Sequence, residues 1–147
     1  MLLVDTSAWI DYLRDAPTPA AEGIAGLVRA GADLATTEPV VMELLAGGDT
    51  PTRAAALEQL VNGLPVLSVD PELDFRQAAT IYLAVRRTGR TPRSLVDCSV
   101  AATAVRLGVE LCSYGCGLRG NPGGLAVASP LPVLSRTELV ARWMPAG

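Results

Sequence analysis

A short apolar run closed by an acid, Leu2-Leu3-Val4-Asp5, limits what this chain can fold into more than any other feature. An unbroken apolar stretch of this length reads as a strand buried on both faces of a parallel sheet. Directly behind it, Trp9, Ile10 and Leu13 have helical spacing, and Thr6 or Ser7 suits the cap of that helix. A strand that runs straight into a helix opens an α/β unit. In open α/β sheets, ligands bind outside the carboxyl ends of the strands, and Asp5 falls at such an end. It can hold a metal ion or a water there. It can equally cap the helix, with Thr6 and Ser7 as turn residues.

The same alternation continues along the chain. A helix is expected over Pro17–Ala30, with Ile24, Leu27 and Val28 on one face and Gly31 as its stop. Leu34–Thr36 reads as a strand, and Pro39 opens a helix carrying Val40-Val41-Met42-Glu43-Leu44-Leu45-Ala46 up to Gly47. A short helix over Thr52–Asn62 follows, then a loop into a strand at Pro65–Val69. The longest helix is expected over Pro71–Arg87, with Phe75, Ala78, Ala79, Tyr82, Leu83 and Val85 on its apolar side. Small residues fill the next helix, Ser94–Gly108. Val109–Ser113 reads as a strand, and Arg136–Trp143 as a closing helix. Alternating strand and helix patterns without repeat or linker argue one α/β domain over residues 1–147 with a mostly parallel sheet.

Composition narrows the chemistry. The chain has no histidine, which excludes imidazole acid–base catalysis and imidazole metal ligation, so a hydrolytic site must be built from carboxylates. All twelve basic residues are arginine and the formal charge is −3, so no general nucleic-acid affinity follows from net charge. Locally, Arg86, Arg87, Arg90 and Arg93 form a basic cluster. They answer the dipole at a helix end, or they contact phosphate as an RNA-facing patch. No apolar run approaches the roughly 18 residues of a membrane span, and no basic segment precedes the first apolar run. A cytoplasmic protein without membrane association is expected. Three cysteines, Cys98, Cys112 and Cys116, do not suggest a disulfide framework.

Three acids share an apolar or small-residue setting: Asp5 after the first strand, Glu43 inside an apolar helix, and Asp97 in the opening turn of a helix. Taken singly, Glu43 can point to solvent and Asp97 can cap its helix. Brought together, such carboxylates bind Mg²⁺ or Mn²⁺, ions that activate water against a phosphodiester.

Three segments carry a resemblance. Val4-Asp5-Thr6-Ser7-Ala8-Trp9-Ile10-Asp11-Tyr12-Leu13 resembles the opening of PIN-domain toxins of the VapC type, the ribonuclease half of bacterial type II toxin–antitoxin pairs. Glu38-Pro39-Val40-Val41-Met42-Glu43-Leu44-Leu45-Ala46-Gly47 is similar to that family's second acidic motif, and Val96-Asp97-Cys98-Ser99-Val100-Ala101-Ala102 to its third. The match runs in order to about Gly108. The resemblance implies a three-layer α/β/α PIN-like domain and endonucleolytic RNA cleavage at a Mg²⁺ or Mn²⁺ held by Asp5, Glu43 and Asp97. Thr6, Ser7 and Ser113 would supply supporting hydroxyls. It also implies a cognate antitoxin, a homodimer, and contact with operator DNA only through the antitoxin.

The departure is at the fourth acidic motif, Asp-x-Asp-Phe in the family. Here Gly115 and Gly117 stand for both aspartates and Leu118 for the aromatic residue. No aspartate follows Asp97; the later acids are Glu110 and Glu138. Cys112 and Cys116 are poor substitutes, since thiolates suit softer metals such as zinc. Residues 119–147 do not map onto the family. A catalytically weakened or inactive homologue that still binds antitoxin is therefore the alternative to an active nuclease. A phosphate-binding small-molecule domain is disfavoured, because no Gly-rich loop follows an early strand.

Overall fold

The computed structural model describes residues 1–113. Its elements in chain order are β1 (Leu2–Val4), α1 (Thr6–Leu13), α2 (Pro19–Arg29), β2 (Leu34–Ala35), α3 (Glu38–Ala46), α4 (Pro51–Asn62), α5 (Leu73–Arg87), α6 (Leu95–Leu107) and β3 (Glu110–Cys112). The three strands form a parallel sheet in the order β2-β1-β3. Leu3 lies opposite Ala35 on one side and Leu111 on the other. The apolar run at the N-terminus is thus the central strand, and Leu3 and Val4 are fully buried, as a run without polar alternation requires.

Local chemistry sets the helix ends. Thr18, Thr50 and Ser94 each accept a backbone N–H through the side-chain oxygen at an N-cap, and Pro19 and Pro51 follow two of them. Gly108 closes α6 in the left-handed region at φ 66°, a conformation that glycine adopts without strain. The main core joins Leu3, Val4, Trp9, Ile24, Val40, Leu44, Leu57 and Val100, and a second cluster lies between α5 and α6 around Ala78, Ile81, Cys98 and Ala102.

Several expectations need correction. Asp5, not Thr6 or Ser7, occupies the N-cap position of α1. The strand expected over Pro65–Val69 is a single parallel bridge between Thr36 and Val66, too short to count as a strand. On α5, the buried side is Asp74, Ala78, Ile81, Ala84 and Val85, whereas Phe75 and Leu83 are 55% and 54% exposed. The helix is rotated from the apolar reading because Asp74 is drawn inward by ionic and hydrogen-bonding partners described below. The helix expected over Arg136–Trp143 and the positions Gly115, Cys116 and Gly117 lie outside the described residues.

Candidate active site

Asp5 leaves β1 where the central strand gives way to α1, with extended backbone at φ −75° and ψ 159°. Its backbone N–H donates to the Cys112 carbonyl at 2.9 Å, which ties the end of β1 to the end of β3. Although Asp5 stands at an N-cap, its side chain makes no capping hydrogen bond. Instead, Oδ2 accepts from the Ser113 hydroxyl at 2.9 Å and the Ser7 hydroxyl at 3.1 Å. Oδ1 is buried with no hydrogen-bond partner. Capping is therefore not what this carboxylate does.

Glu43 reaches the same place from α3. Val40 and Leu44 bury the inner face of that helix, which leaves Glu43 half-buried on its flank. There its Oε2 accepts from the Thr6 hydroxyl, a short contact that joins the first turn of α1 to α3. The solvent-facing alternative for Glu43 is thereby set aside.

Asp97 comes from the first turn of α6. The cap of this helix is Ser94, whose hydroxyl accepts from the Asp97 backbone N–H at 3.0 Å. The Asp97 carboxylate is released from capping, and its Oδ2 is buried with no partner. Burial raises its pKa above the ordinary aspartate value of 3.8, and the negative charges of Asp5 and Glu43 add to the rise. The Ser94 hydrogen bond and the positive charge of Arg93 oppose it. The fold thus brings all three sequence-identified acids within electrostatic reach of one another, with Thr6, Ser7 and Ser113 bonded among them. Sequence reading missed Ser94; a serine three residues before an acid that opens an apolar helix is the signal that identifies it.

Arg93 is the member of the basic cluster whose charge is felt at Asp97. Arg86 donates to the Thr91 hydroxyl at 3.1 Å. Arg86, Arg87, Arg90 and Arg93 are all exposed. Cys112, beside the site at the end of β3, has its thiol pushed up to about 11 by burial and by the charge of Asp5, so it stays protonated at neutral pH and is a weak metal ligand.

Among the described residues, no group of three or more His, Cys, Asp or Glu side chains is arranged to hold a metal ion. The three acids are gathered as a cluster of charge rather than as a closed cage. Two of them nevertheless present a buried oxygen without a partner, and a lone buried carboxylate oxygen is costly to leave unsatisfied. Mg²⁺ is commonly bound through one or two carboxylates and retains several waters. Asp5 and Asp97 fit that donor set.

The PIN domain family matches this chain over residues 2–119. The chain is 46% identical over 112 residues to the VapC ribonuclease Mb1587 of Mycobacterium bovis and, to the same extent, to the ribonuclease VapC11 of Mycobacterium tuberculosis. Each alignment covers 76% of this chain and 84% of the relative. Among solved structures, a toxin–antitoxin complex from Klebsiella pneumoniae matches with a TM-score of 0.57 and 20% identity, covering 88% of this chain and 98% of that one. That likeness speaks for the fold, a PIN-like α/β/α arrangement. With the carboxylate cluster, the parallel sheet and these matches together, the chain belongs to the PIN-domain family, among proteins of the VapC type.

Proposed function

We propose that this protein is a metal-dependent endoribonuclease, the toxin of a toxin–antitoxin pair, which hydrolyses RNA phosphodiester bonds at the Asp5–Glu43–Asp97 cluster. The observation that carries the reading is the pair of buried, unpartnered oxygens, Asp5 Oδ1 at the carboxyl end of the central strand and Asp97 Oδ2 in the first turn of α6. The name of the relatives, VapC ribonuclease, supports the reaction class.

Asp5 and Asp97 would hold Mg²⁺ or Mn²⁺, with Glu43 completing the negative surroundings. Such an ion supplies Lewis acidity toward a phosphoryl oxygen and lowers the pKa of a bound water. The chain's own side chains do the positioning. Ser7 and Ser113 occupy Oδ2 of Asp5 and leave Oδ1 as its available donor oxygen. Thr6 holds Glu43 on the site side of α3. Burial, with crowding among the three carboxylates, raises the proton affinity of Asp97, and these negative surroundings would favour a cation held there. Arg93, with Arg87, Arg90 and Arg86 in the same patch, would take the negative charge of flanking phosphates, where arginine's planar fork is well matched. A cognate antitoxin, a homodimer and indirect contact with operator DNA complete the proposal; the toxin–antitoxin complex from Klebsiella pneumoniae that shares the fold supports the first of these.

The absence of any aspartate after Asp97 favours one second reading, a toxin homologue that pairs with antitoxin while cleaving slowly or not at all. Cleavage of total RNA by the purified, antitoxin-free chain separates the two, with Mg²⁺, with Mn²⁺ and with chelator. The proposal expects metal-dependent cutting that Asp5→Asn lowers by on the order of a thousandfold, the scale of a single dominant electrostatic contributor. No cutting by a folded chain, with cutting restored by Gly115→Asp and Gly117→Asp, would establish the second reading. Equal cutting by Asp5→Asn and parent would sink the carboxylate site altogether.

A further inference from the structure

Among the described helices, four begin at a hydroxyl residue with extended backbone: α2 at Thr18, α3 at Thr37, α4 at Thr50 and α6 at Ser94. Thr18, Thr50 and Ser94 each turn the side-chain oxygen onto the N–H three residues ahead, at 3.2, 3.3 and 3.0 Å. Thr37 makes no such bond. Its backbone matches that of Thr50, φ −129° and ψ 164° against φ −129° and ψ 153°, and a proline follows each within the first two helical positions. The Thr37 carbonyl accepts the Val41 N–H at 2.9 Å, as an N-cap should. Only the side chain departs. Thr37 is 0% exposed, and its hydroxyl is buried with no hydrogen-bond partner. A threonine able to cap its helix that leaves its hydroxyl buried and unsatisfied calls for another partner.

The sheet register says where that partner lies. β1 and β2 pair Leu2 with Leu34 and Leu3 with Ala35. Carried on by two residues, the same register sets Thr37 abreast of Asp5, and both have extended backbone. Strand alternation puts these two on one side of the sheet and Thr36 on the other. Asp5 also stands at an N-cap without capping, and its Oδ1 is also buried and unpartnered. We propose that Thr37 is a positioning residue of this site, its hydroxyl accepting from a buried water beside Oδ1 of Asp5 and so favouring a hydrated divalent cation there. Mg²⁺ keeps several of its waters, and such waters need acceptors for their protons. A threonine hydroxyl offers lone pairs without charge, which suits a place where Asp5, Glu43 and Asp97 already crowd one another. The inference rests on the cation reading of the proposed function and adds to it a residue outside the three acids.

The test is Mn²⁺ titration by calorimetry on the full chain, paired with urea unfolding in metal-free buffer. Thr37→Val keeps the shape and removes the hydroxyl. Its Mn²⁺ affinity should fall by about tenfold or more, the scale on which groups behind a metal's ligands act, while its urea midpoint does not drop. Thr37→Ser should keep the parent affinity. Thr50→Val should do the reverse of Thr37→Val, lowering the midpoint through a lost cap and leaving Mn²⁺ affinity alone. Parent-like Mn²⁺ binding by Thr37→Val overturns the inference. So does a midpoint that falls as it does in Thr50→Val, or a Thr37→Ser weakened as much as Thr37→Val. Should Thr37→Val not fold, Thr37→Ala read against Thr37→Ser makes the same comparison. A parent that takes up no Mn²⁺ sinks the proposed cation site and this inference with it, whereas a parent that binds alongside an unaffected Thr37→Val sinks this inference alone.

Discussion

The chain buries acids in two places and treats them in opposite ways. Between α5 and α6, Asp74 is 1% exposed and fully partnered. Arg106 donates to both its oxygens, at 2.8 and 2.9 Å, Thr103 donates at 3.0 Å, and the Asp70 backbone N–H at 2.8 Å. Arg106 also donates to the Ser68 carbonyl, so one guanidinium ties α6 to α5 and to the segment before it. Burial pushes the Asp74 carboxyl up, but the bonds from Arg106, Asp70 and Thr103 outweigh it and hold the group below its ordinary value of 3.8. At the end of β1 there is no such answer. Asp5 and Asp97 each keep a buried oxygen without a partner, and what surrounds Asp97 is mostly more negative charge. The other unpartnered buried atoms among the described residues, Trp9 Nε1 and the Thr36 and Thr37 hydroxyls, are neutral. A charge satisfied on every side holds a fold together; charges left crowded and unsatisfied mark a place where something else binds.

That contrast can be broken by mutation, beginning where the effect is largest. Arg106→Ala leaves the Asp74 carboxylate buried without its counter-ion, and should cost about 3–5 kcal/mol of folding stability. Urea unfolding checks it; a loss below about 1 kcal/mol, within the range of an exposed pair, would show that the network is not the clamp described here. At the other cluster the sign reverses. Asp97→Asn removes one of three crowded charges and should raise stability by about 1 kcal/mol while abolishing metal-dependent cleavage, the trade expected where function requires a destabilised site. Loss of stability in that variant, measured in metal-free buffer, would mean that Asp97 is structurally paired after all.

The smallest effect is with pH. Because Asp74 titrates lower in the folded chain than its ordinary value of 3.8, the folded state binds its proton less readily than the unfolded state. Its contribution is therefore complete above that value and is lost as pH falls through the folded pKa. In acid titration the parent should stand above Asp74→Asn at pH values higher than the ordinary aspartate pKa of 3.8 and converge with it as pH falls below that value. Curves that stay parallel across that window would remove Asp74 from the account of acid stability.

How much was legible beforehand differs between these regions. Asp5, Glu43 and Asp97 stood out because each is an acid in an apolar or small-residue frame, and the family motifs carry them in order. The hydroxyls Thr6, Ser7 and Ser113 were implied by the same resemblance. Asp74 did not stand out: within Leu73-Asp74-Phe75-Arg76 it looks like an ordinary first-turn acid, and its partner Arg106 lies 32 residues away. Periodicity therefore assigned Phe75 and Leu83 to the core.

By itself, the sequence determined the strand that becomes the centre of the sheet, the sites where Gly31 and Gly108 end helices, and the identity of the acids. These depend on short-range causes: apolar continuity, backbone freedom and residue type. Which side of α5 faces inward was decided only by the tertiary structure. Asp74 is buried against Arg106 and Thr103 on the same side of α5 as Ala78, Ile81 and Val85, which pack with Cys98, Ala101 and Ala102 of α6, and that side leaves Phe75 and Leu83 outside. Tertiary packing alone also decided that Oδ2 of Asp97 is buried without a partner, because the meeting of Asp97 with Asp5 and Glu43 depends on strands and helices far apart in the chain.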